Sequence, residues 1–128
     1  MNISLSDSFN EVSDDQRFID GKILFNSEKW YLAHDVFEEL WHETNGFERQ
    51  TIQGILQIAV AQLHLERNNK NGAIILYGEG LGRLKKKSSP NLGLNIKKLC
   101  EIVEIRLIKL QKGLDIMNCE IPYLYNLS

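Results

Sequence analysis

The chain has 128 residues and a net charge of −2, from 15 basic and 17 acidic side chains. This length fits one domain. Hydrophobic residues make up 43% of the chain and charged residues 25%, a composition that excludes a fully disordered chain, a collagen-like protein and a flexible linker. Proteins that bind duplex DNA carry a surplus of Lys and Arg, which this slightly acidic chain lacks, so we expect no DNA partner.

The N-terminal third of the chain begins with a polar stretch and then becomes apolar at helical spacing. Residues 1–16 are acidic and polar, and we expect them to form a flexible segment. A short helical turn is predicted over residues 17–25. Residues 28–44 then place apolar side chains on one stripe and predict the first long helix. Asn26 or Ser27 is expected to cap that helix by accepting a backbone N–H.

Three further helices are predicted along the rest of the chain. Apolar residues recur at helical spacing over residues 47–67 and 70–87, and again after Asn95 until about Gly113. Asn69 and Asn95 precede two of these segments and are expected to cap them. Since the connections are short, neighbouring helices should run antiparallel.

The predicted helix over residues 70–87 is unusually rich in glycine. It contains Gly72, Gly78, Gly80 and Gly82. Each glycine inside a helix costs about 0.5–1 kcal/mol relative to alanine, so some compensation is required. We expect a neighbouring helix to approach closely at these positions.

These elements predict an all-α fold, an antiparallel helix bundle of four to five helices. The bundle is expected to form a single domain over residues 17–122, followed by a C-terminal tail over residues 123–128. No strand, internal repeat or low-complexity tract is indicated. An apolar helix face of such a bundle is a candidate surface for homo-oligomer formation.

Cysteine usage and hydropathy indicate the compartment. Cys100 and Cys119 are far apart and match no CxxC pattern, so they predict neither a zinc site nor a redox motif. The most apolar stretch, residues 55–65, contains polar side chains and is shorter than the ~20 residues that span a bilayer. Residues 1–16 lack the pattern of a signal peptide. We expect a cytoplasmic protein that does not associate with membranes.

Two stripes of polar and aromatic residues accompany the apolar stripes of the first two long helices. If the two helices are antiparallel neighbours, these stripes converge into a small pocket. Asp35 is expected at its flank. The predicted pocket residues are Tyr31, His34, Asp35, Glu38 and Trp41 on the first helix, and Gln53, Gln57 and His64 on the second.

Four interpretations of this cluster remain open. It is a buried polar network that fixes helix register, or a pocket for a small polar ligand. Alternatively it is catalytic, with His34 as acid or base and Glu38 orienting its ring, for instance in a metal-assisted hydrolysis. A metal site is the fourth interpretation. His34 and Glu38 supply only two ligands where a catalytic zinc needs three, and His64 would be the third. No cofactor is identified.

Four segments of the chain together resemble a known family. HDVFEELW at residues 34–41 resembles its H-[DE]-x-x-E-x-x-W helix, and QGILQ at residues 53–57 resembles its QG[IL][IL]Q segment. His64 follows, as in the family, and Asn69 with the Gly-Ala at residues 72–73 resembles its N-x-x-G-A opening of the next helix. The chain is similar, over about residues 17–122, to the small all-helical domain-of-unknown-function family number 309.

This resemblance implies an all-helical bundle of about five helices and no established activity, substrate or cofactor. The family's signature falls on polar residues more than on core residues, which favours a pocket. Gln62 and Leu63 depart from the usual pattern, which affects the packing near His64. The signature residues match at His34, Asp35, Glu38, Trp41, Gln53, Gly54, Gln57 and His64. The function that fits best is therefore a small-ligand binding or structural module, with the enzyme as alternative.

Overall fold

Five α-helices pack into a bundle over residues 11–128, which are the residues described by a computed structural model. The predicted all-α bundle of four to five helices is confirmed. Within this part of the chain, no helix is both long and apolar enough to cross a bilayer. The helices are α1 (Gln16–Asn26), α2 (Trp30–Glu43), α3 (Glu48–Glu66), α4 (Lys70–Leu84) and α5 (Ile96–Gln111).

Each helix packs against its neighbours in the chain, and the packing is most extensive between α3 and α4. Because turns of three or four residues join α1 to α2, α2 to α3 and α3 to α4, these neighbours run antiparallel. Helix α3 packs against both α2 and α4, and ten of its 19 residues are buried. It is therefore the central helix, with a narrow outward face between its two neighbours.

The start of the bundle differs from the prediction. The expected short turn is a complete 11-residue helix, α1, which is capped by Asp15 and buries Phe18 and Phe25. Since α1 extends through Asn26, neither Asn26 nor Ser27 caps α2, and this prediction was wrong. The predicted flexible segment over residues 1–16 falls largely on residues 1–10, outside the described residues.

The predicted caps later in the chain are confirmed. The side chain of Asn69 accepts a hydrogen bond from the backbone N–H of Gly72, at 3.0 Å. The side chain of Asn95 accepts one from the N–H of Lys98, also at 3.0 Å. Both helices therefore begin where a local side chain satisfies an N–H that the helix cannot.

Glycine allows α3 and α4 to approach closely. A Cβ on Gly80 would lie 3.0 Å from the carbonyl oxygen of Gly54, and a Cβ on Gly54 would lie 2.7 Å from Leu84. The expected close approach is confirmed at Gly80 and also at Gly72, where a Cβ would lie 2.8 Å from the His64 ring of α3. At Gly78 and Gly82 a Cβ would meet open space, so packing does not explain these two glycines.

Residues after α5 return across the bundle in an extended conformation. Leu124 is buried, and its backbone N–H and carbonyl both bind the side chain of Asn26 at the end of α1, at 2.7 and 3.2 Å. Asn126 forms an isolated antiparallel β-bridge with Leu94. The C-terminal segment thus joins α1 to the loop that precedes α5.

Candidate functional site

Polar side chains follow the outward side of α3, between its neighbours α2 and α4. At one end, the Arg49 guanidinium of α3 lies 4.0 Å from the centre of the Trp41 ring of α2. On the other side, Gln57 Nε2 of α3 donates to Glu79 Oε1 of α4, at 3.0 Å. Arg83 lies one turn beyond Glu79 on α4. We call this feature the polar groove, and its residues are His34, Glu38, Trp41, Arg49, Gln53, Gln57, Glu79 and Arg83.

Residues of the two predicted stripes lie at the same level along the antiparallel helices α2 and α3. Measured from the contact of Trp41 with Arg49, His34 lies seven positions back along α2. Gln57 lies eight positions forward along α3. Since the helices are antiparallel and rise about 1.5 Å per residue, both residues lie about 10–12 Å from that contact. Gln53 lies between Arg49 and Gln57 and is half-buried.

Four residues of the polar groove carry buried side-chain atoms without a hydrogen-bond partner. Among the described residues, four buried side-chain polar atoms have no hydrogen-bond partner. All four belong to groove residues, and two come from α2, one from α3 and one from α4. Each such atom costs about 1–3 kcal/mol, so their clustering needs an explanation. The atoms are His34 Nδ1, Trp41 Nε1, Gln57 Oε1 and Arg83 Nε.

His34 and Glu38 form a pair along α2. His34 Nε2 lies 3.4 Å from Glu38 Oε2, with the His34 side chain 23% exposed and that of Glu38 46% exposed. A carboxylate beside Nε2 favours the tautomer that carries its proton there. Nδ1 then keeps its lone pair, so His34 presents an acceptor within the groove.

Two predicted residues lie at the edge of the groove. Tyr31 is 58% exposed, and its ring centre lies 6.4 Å from that of His34. Asp35 is exposed on the outer face of α2. Both lie beside His34 without contributing a buried polar atom.

His64 lies in the last turn of α3, just before the connection to α4. Its Nδ1 lies 3.1 Å from Asn69 Nδ2, and its ring packs so closely on Gly72 that a Cβ there would lie 2.8 Å away. It is seven positions, about 10 Å, along α3 from Gln57. Over residues 11–128, no three His, Cys, Asp or Glu side chains are placed to share a metal ion. The three-ligand arrangement of His34, Glu38 and His64 is therefore not formed.

The contribution of α4 was missing from the sequence prediction. Glu79 and Arg83 lie four positions apart and form a third polar stripe on the side of α4 that faces Gln57. Their spacing was the available signal. Nothing in the local pattern indicates that this side of α4 turns toward α3, because the close contact between Gly54 and Gly80 sets that orientation.

In this conformation the side chains of the polar groove cover its polar atoms. Five surface cavities of 310 to 560 Å³ lie elsewhere on the described chain, and none is lined by the eight predicted pocket residues. Arg49 is exposed and lies across the Trp41 ring. It is the side chain whose movement would uncover one end of the groove.

Comparison with known proteins agrees with the resemblance seen in the motifs. Residues 18–76 match the family model described as "Domain of unknown function (DUF309)". No curated protein matches the chain. The matched residues include all eight predicted pocket residues and end within α4, before Glu79 and Arg83. Residues 18–76 are therefore similar to the family described as a domain of unknown function, DUF309, and this part of the chain is helical.

Proposed function

We propose that this domain binds a small polar molecule in the polar groove. The observation that carries the proposal is the clustering of all four unpartnered buried side-chain atoms of the described chain on three helices that line one groove. A network that served only to fix helix register would pair these atoms with one another. Unpaired polar groups that cost stability are typical of binding sites.

The unpaired atoms define the chemistry of the ligand. Trp41 Nε1–H and Arg83 Nε–H are donors and need an acceptor such as a carbonyl oxygen. Gln57 Oε1 and His34 Nδ1 are acceptors and need an N–H. The Trp41 ring, now covered by Arg49, offers a face for a planar group. A planar molecule with amide-type N–H and C=O groups satisfies these requirements together.

A stability comparison tests whether the groove is unsatisfied. Gln57→Leu removes a buried Oε1 without a partner, which costs about 1–3 kcal/mol, and also the hydrogen bond from Nε2 to the exposed Glu79, which contributes about 1 kcal/mol. We therefore expect it to raise the free energy of unfolding by up to about 1 kcal/mol. Gln62→Leu is the matched control. Gln62 is equally buried on α3, but its Oε1 accepts from the Tyr77 hydroxyl, so the control should lose about 1–3 kcal/mol. Destabilisation by Gln57→Leu in urea unfolding would support a register-fixing network instead.

Binding is tested with uracil and nicotinamide as planar amide probes. In ¹H–¹⁵N NMR spectra, we expect a bound probe to shift the indole N–H resonance of Trp41. Trp30 is the internal control, because it is buried and packs at 4.9 Å on Phe25. Trp41→Phe should abolish binding, which is followed in this variant by the backbone amide resonances because the indole reporter is absent. A Trp41 resonance that stays unchanged with both probes contradicts the proposal.

Catalysis is the second candidate function, and the pairing of His34 with Glu38 favours it. A carboxylate at 3.4 Å orients the ring, and the free Nδ1 has the lone pair that a general base needs. The matching reaction is hydrolysis of a small ester or amide in the groove. With a p-nitrophenyl ester, His34→Gln should abolish turnover and Glu38→Gln should reduce it. Turnover by His34→Gln at the parent rate rejects this function.

We also propose self-association through the outer face of α5, which is supported by the exposed Ile105 and Ile108. Ile105→Glu should then shift the sedimentation coefficient toward that of the monomer. A parent chain that sediments as a monomer at high concentration contradicts this. A cytoplasmic location is supported by the two free cysteines, Cys100 and Cys119, which stay reduced there. Fractionation of cells that produce the chain tests the location.

A further inference from the structure

A buried arginine on α5 has no acidic partner. Arg106 is only 5% exposed, and among residues 11–128 no carboxylate lies within ion-pair distance of its guanidinium. Its Nε donates to the Tyr77 hydroxyl at 2.8 Å, and its Nη1 donates to the Glu120 carbonyl at 3.0 Å. Both acceptors are neutral. A buried charge normally needs an opposite charge, so these contacts leave Arg106 uncompensated.

The guanidinium of Arg106 retains capacity for an anion. A guanidinium carries five N–H donors, and the described contacts use two of them. Nη2 donates to no described residue. The planar fork of a guanidinium matches the two oxygens of a carboxylate.

A cavity gives access to this side chain. It has a volume of 310 Å³, at the lower end of the about 300–1,000 Å³ of small-molecule sites. Arg106 and Gln62 contribute polar groups to it, and Cys119 lies in the same lining. Glu28 and Glu66 also line the cavity, and both are exposed. The remaining lining is apolar and consists of Trp30, Leu65, Ile116, Met117 and Ile121.

The cavity is separate from the polar groove. Gln62 lies five positions beyond Gln57 on α3, which places it about 140° around the helix axis. None of the groove residues lines the cavity. A ligand here is therefore independent of the function proposed above.

We propose that this cavity binds a small monocarboxylate with an apolar body, whose carboxylate pairs with Arg106. The apolar walls accommodate an aliphatic chain of a few carbons. Glu28 and Glu66 lie in the exposed part of the lining, so a second negative charge at the outer end of the ligand is repelled. A dicarboxylate is thereby disfavoured.

The test compares two probes of the same shape. 4-Methylpentanoate carries the charge, whereas 4-methylpentanamide lacks it. In ¹H–¹⁵N spectra, we expect the carboxylate to shift the Nε–H resonance of Arg106 and to bind at least about tenfold more tightly than the amide. Equal binding of both probes, or a carboxylate that leaves the Arg106 resonance unchanged, overturns the proposal.

A variant that keeps Arg106 distinguishes loss of the cavity from loss of the folded structure. Arg106→Gln removes the charge but also disturbs the buried contact with Tyr77. Ile121→Trp instead fills the cavity from its partly exposed side, so we expect the carboxylate shift to disappear while the chain stays folded. Ile75→Trp is the matched control, because Ile75 is exposed and lies outside this cavity. It should bind as the parent does. Undiminished binding by Ile121→Trp contradicts the proposed position.

Discussion

Replacing Gly80 by alanine should push α3 and α4 apart. The new Cβ would lie 3.0 Å from the carbonyl oxygen of Gly54 and 3.1 Å from Ile58 Cγ1. Carbon and carbonyl oxygen normally approach to about 3.3–3.6 Å, so the helices must separate by several tenths of an ångström. Such overpacking costs about 1–3 kcal/mol. The higher helix propensity of alanine returns about 1 kcal/mol, which leaves a net loss of about 1 kcal/mol.

Gly82 provides the matched control for this variant. It lies two positions further on the same helix, is exposed, and a Cβ there would meet nothing within 4 Å. Gly82→Ala should therefore gain about 0.5–1 kcal/mol from helix propensity alone. Because the propensity term is common to both variants, the difference between them measures the packing cost directly.

Urea unfolding followed by circular dichroism measures this difference. With a slope of about 1–3 kcal/mol per molar urea, a difference of about 2 kcal/mol separates the two midpoints by roughly 1 M. If Gly80→Ala is as stable as Gly82→Ala, the close approach at Gly54 does not exist. The orientation assigned to Glu79 and Arg83 would then lose its physical basis.

Three other substitutions or measurements test contacts elsewhere. Asp15→Ala should cost about 1 kcal/mol near pH 7, because Asp15 caps α1 and hydrogen-bonds Arg17. The hydrogen bond from Arg17 lowers the pKa of Asp15 from 3.8, so this contribution is fully present well above pH 3.8 and declines as the pH falls toward the lowered pKa. Urea unfolding should therefore show a smaller difference between variant and parent at pH 3 than at pH 7, and a constant difference contradicts this role of Asp15. Burial raises the pKa of the Cys100 thiol, which lowers the fraction of reactive thiolate. In variants that keep only one cysteine, Cys100 should therefore react with Ellman's reagent about tenfold more slowly than Cys119. Equal reaction rates refute this prediction. Tyr77→Phe should lower the free energy of unfolding by about 1–3 kcal/mol, because it removes the hydroxyl that hydrogen-bonds both Gln62 and Arg106. Thermal or urea unfolding measures this loss, and an unchanged stability contradicts the role of the hydroxyl.

The sequence predicts well those helices and caps that depend on residues close together in the chain. The long helices follow from apolar residues at helical spacing, and the caps at Asn69 and Asn95 follow from bonds within three residues. The helical turn predicted over residues 17–25 agrees with α1 to within one residue at each end, but its completion as a stable helix depends on packing with distant residues. The local position of Asn26 predicts a cap, but Asn26 instead binds Leu124, which lies 98 positions away. No periodicity in the sequence reports such a contact.

In the candidate site, too, the residues set by local spacing are predictable from the sequence, whereas those set by packing between helices are not. The stripes on α2 and α3 were read from spacing alone, and the structure places His34 and Gln57 at one level of the groove. The part that α4 plays depends on helix rotation, which the contact between Gly54 and Gly80 sets. His64 continues the stripe of Gln57 by spacing, but the nearby Asn69 engages it in the turn. A neighbour in the chain thus diverts a side chain that periodicity assigns to the site.

The bond between Asn26 and Leu124 has a consequence for synthesis on the ribosome. Helices α1 to α4 pair with their neighbours in the order in which they emerge. The backbone partner of Asn26, however, is translated 98 residues later. At about 5–20 residues per second, α1 waits roughly 5–20 s before this contact can form. During this interval, the surface of α1 that the returning segment later covers stays open to chaperones and to other nascent chains.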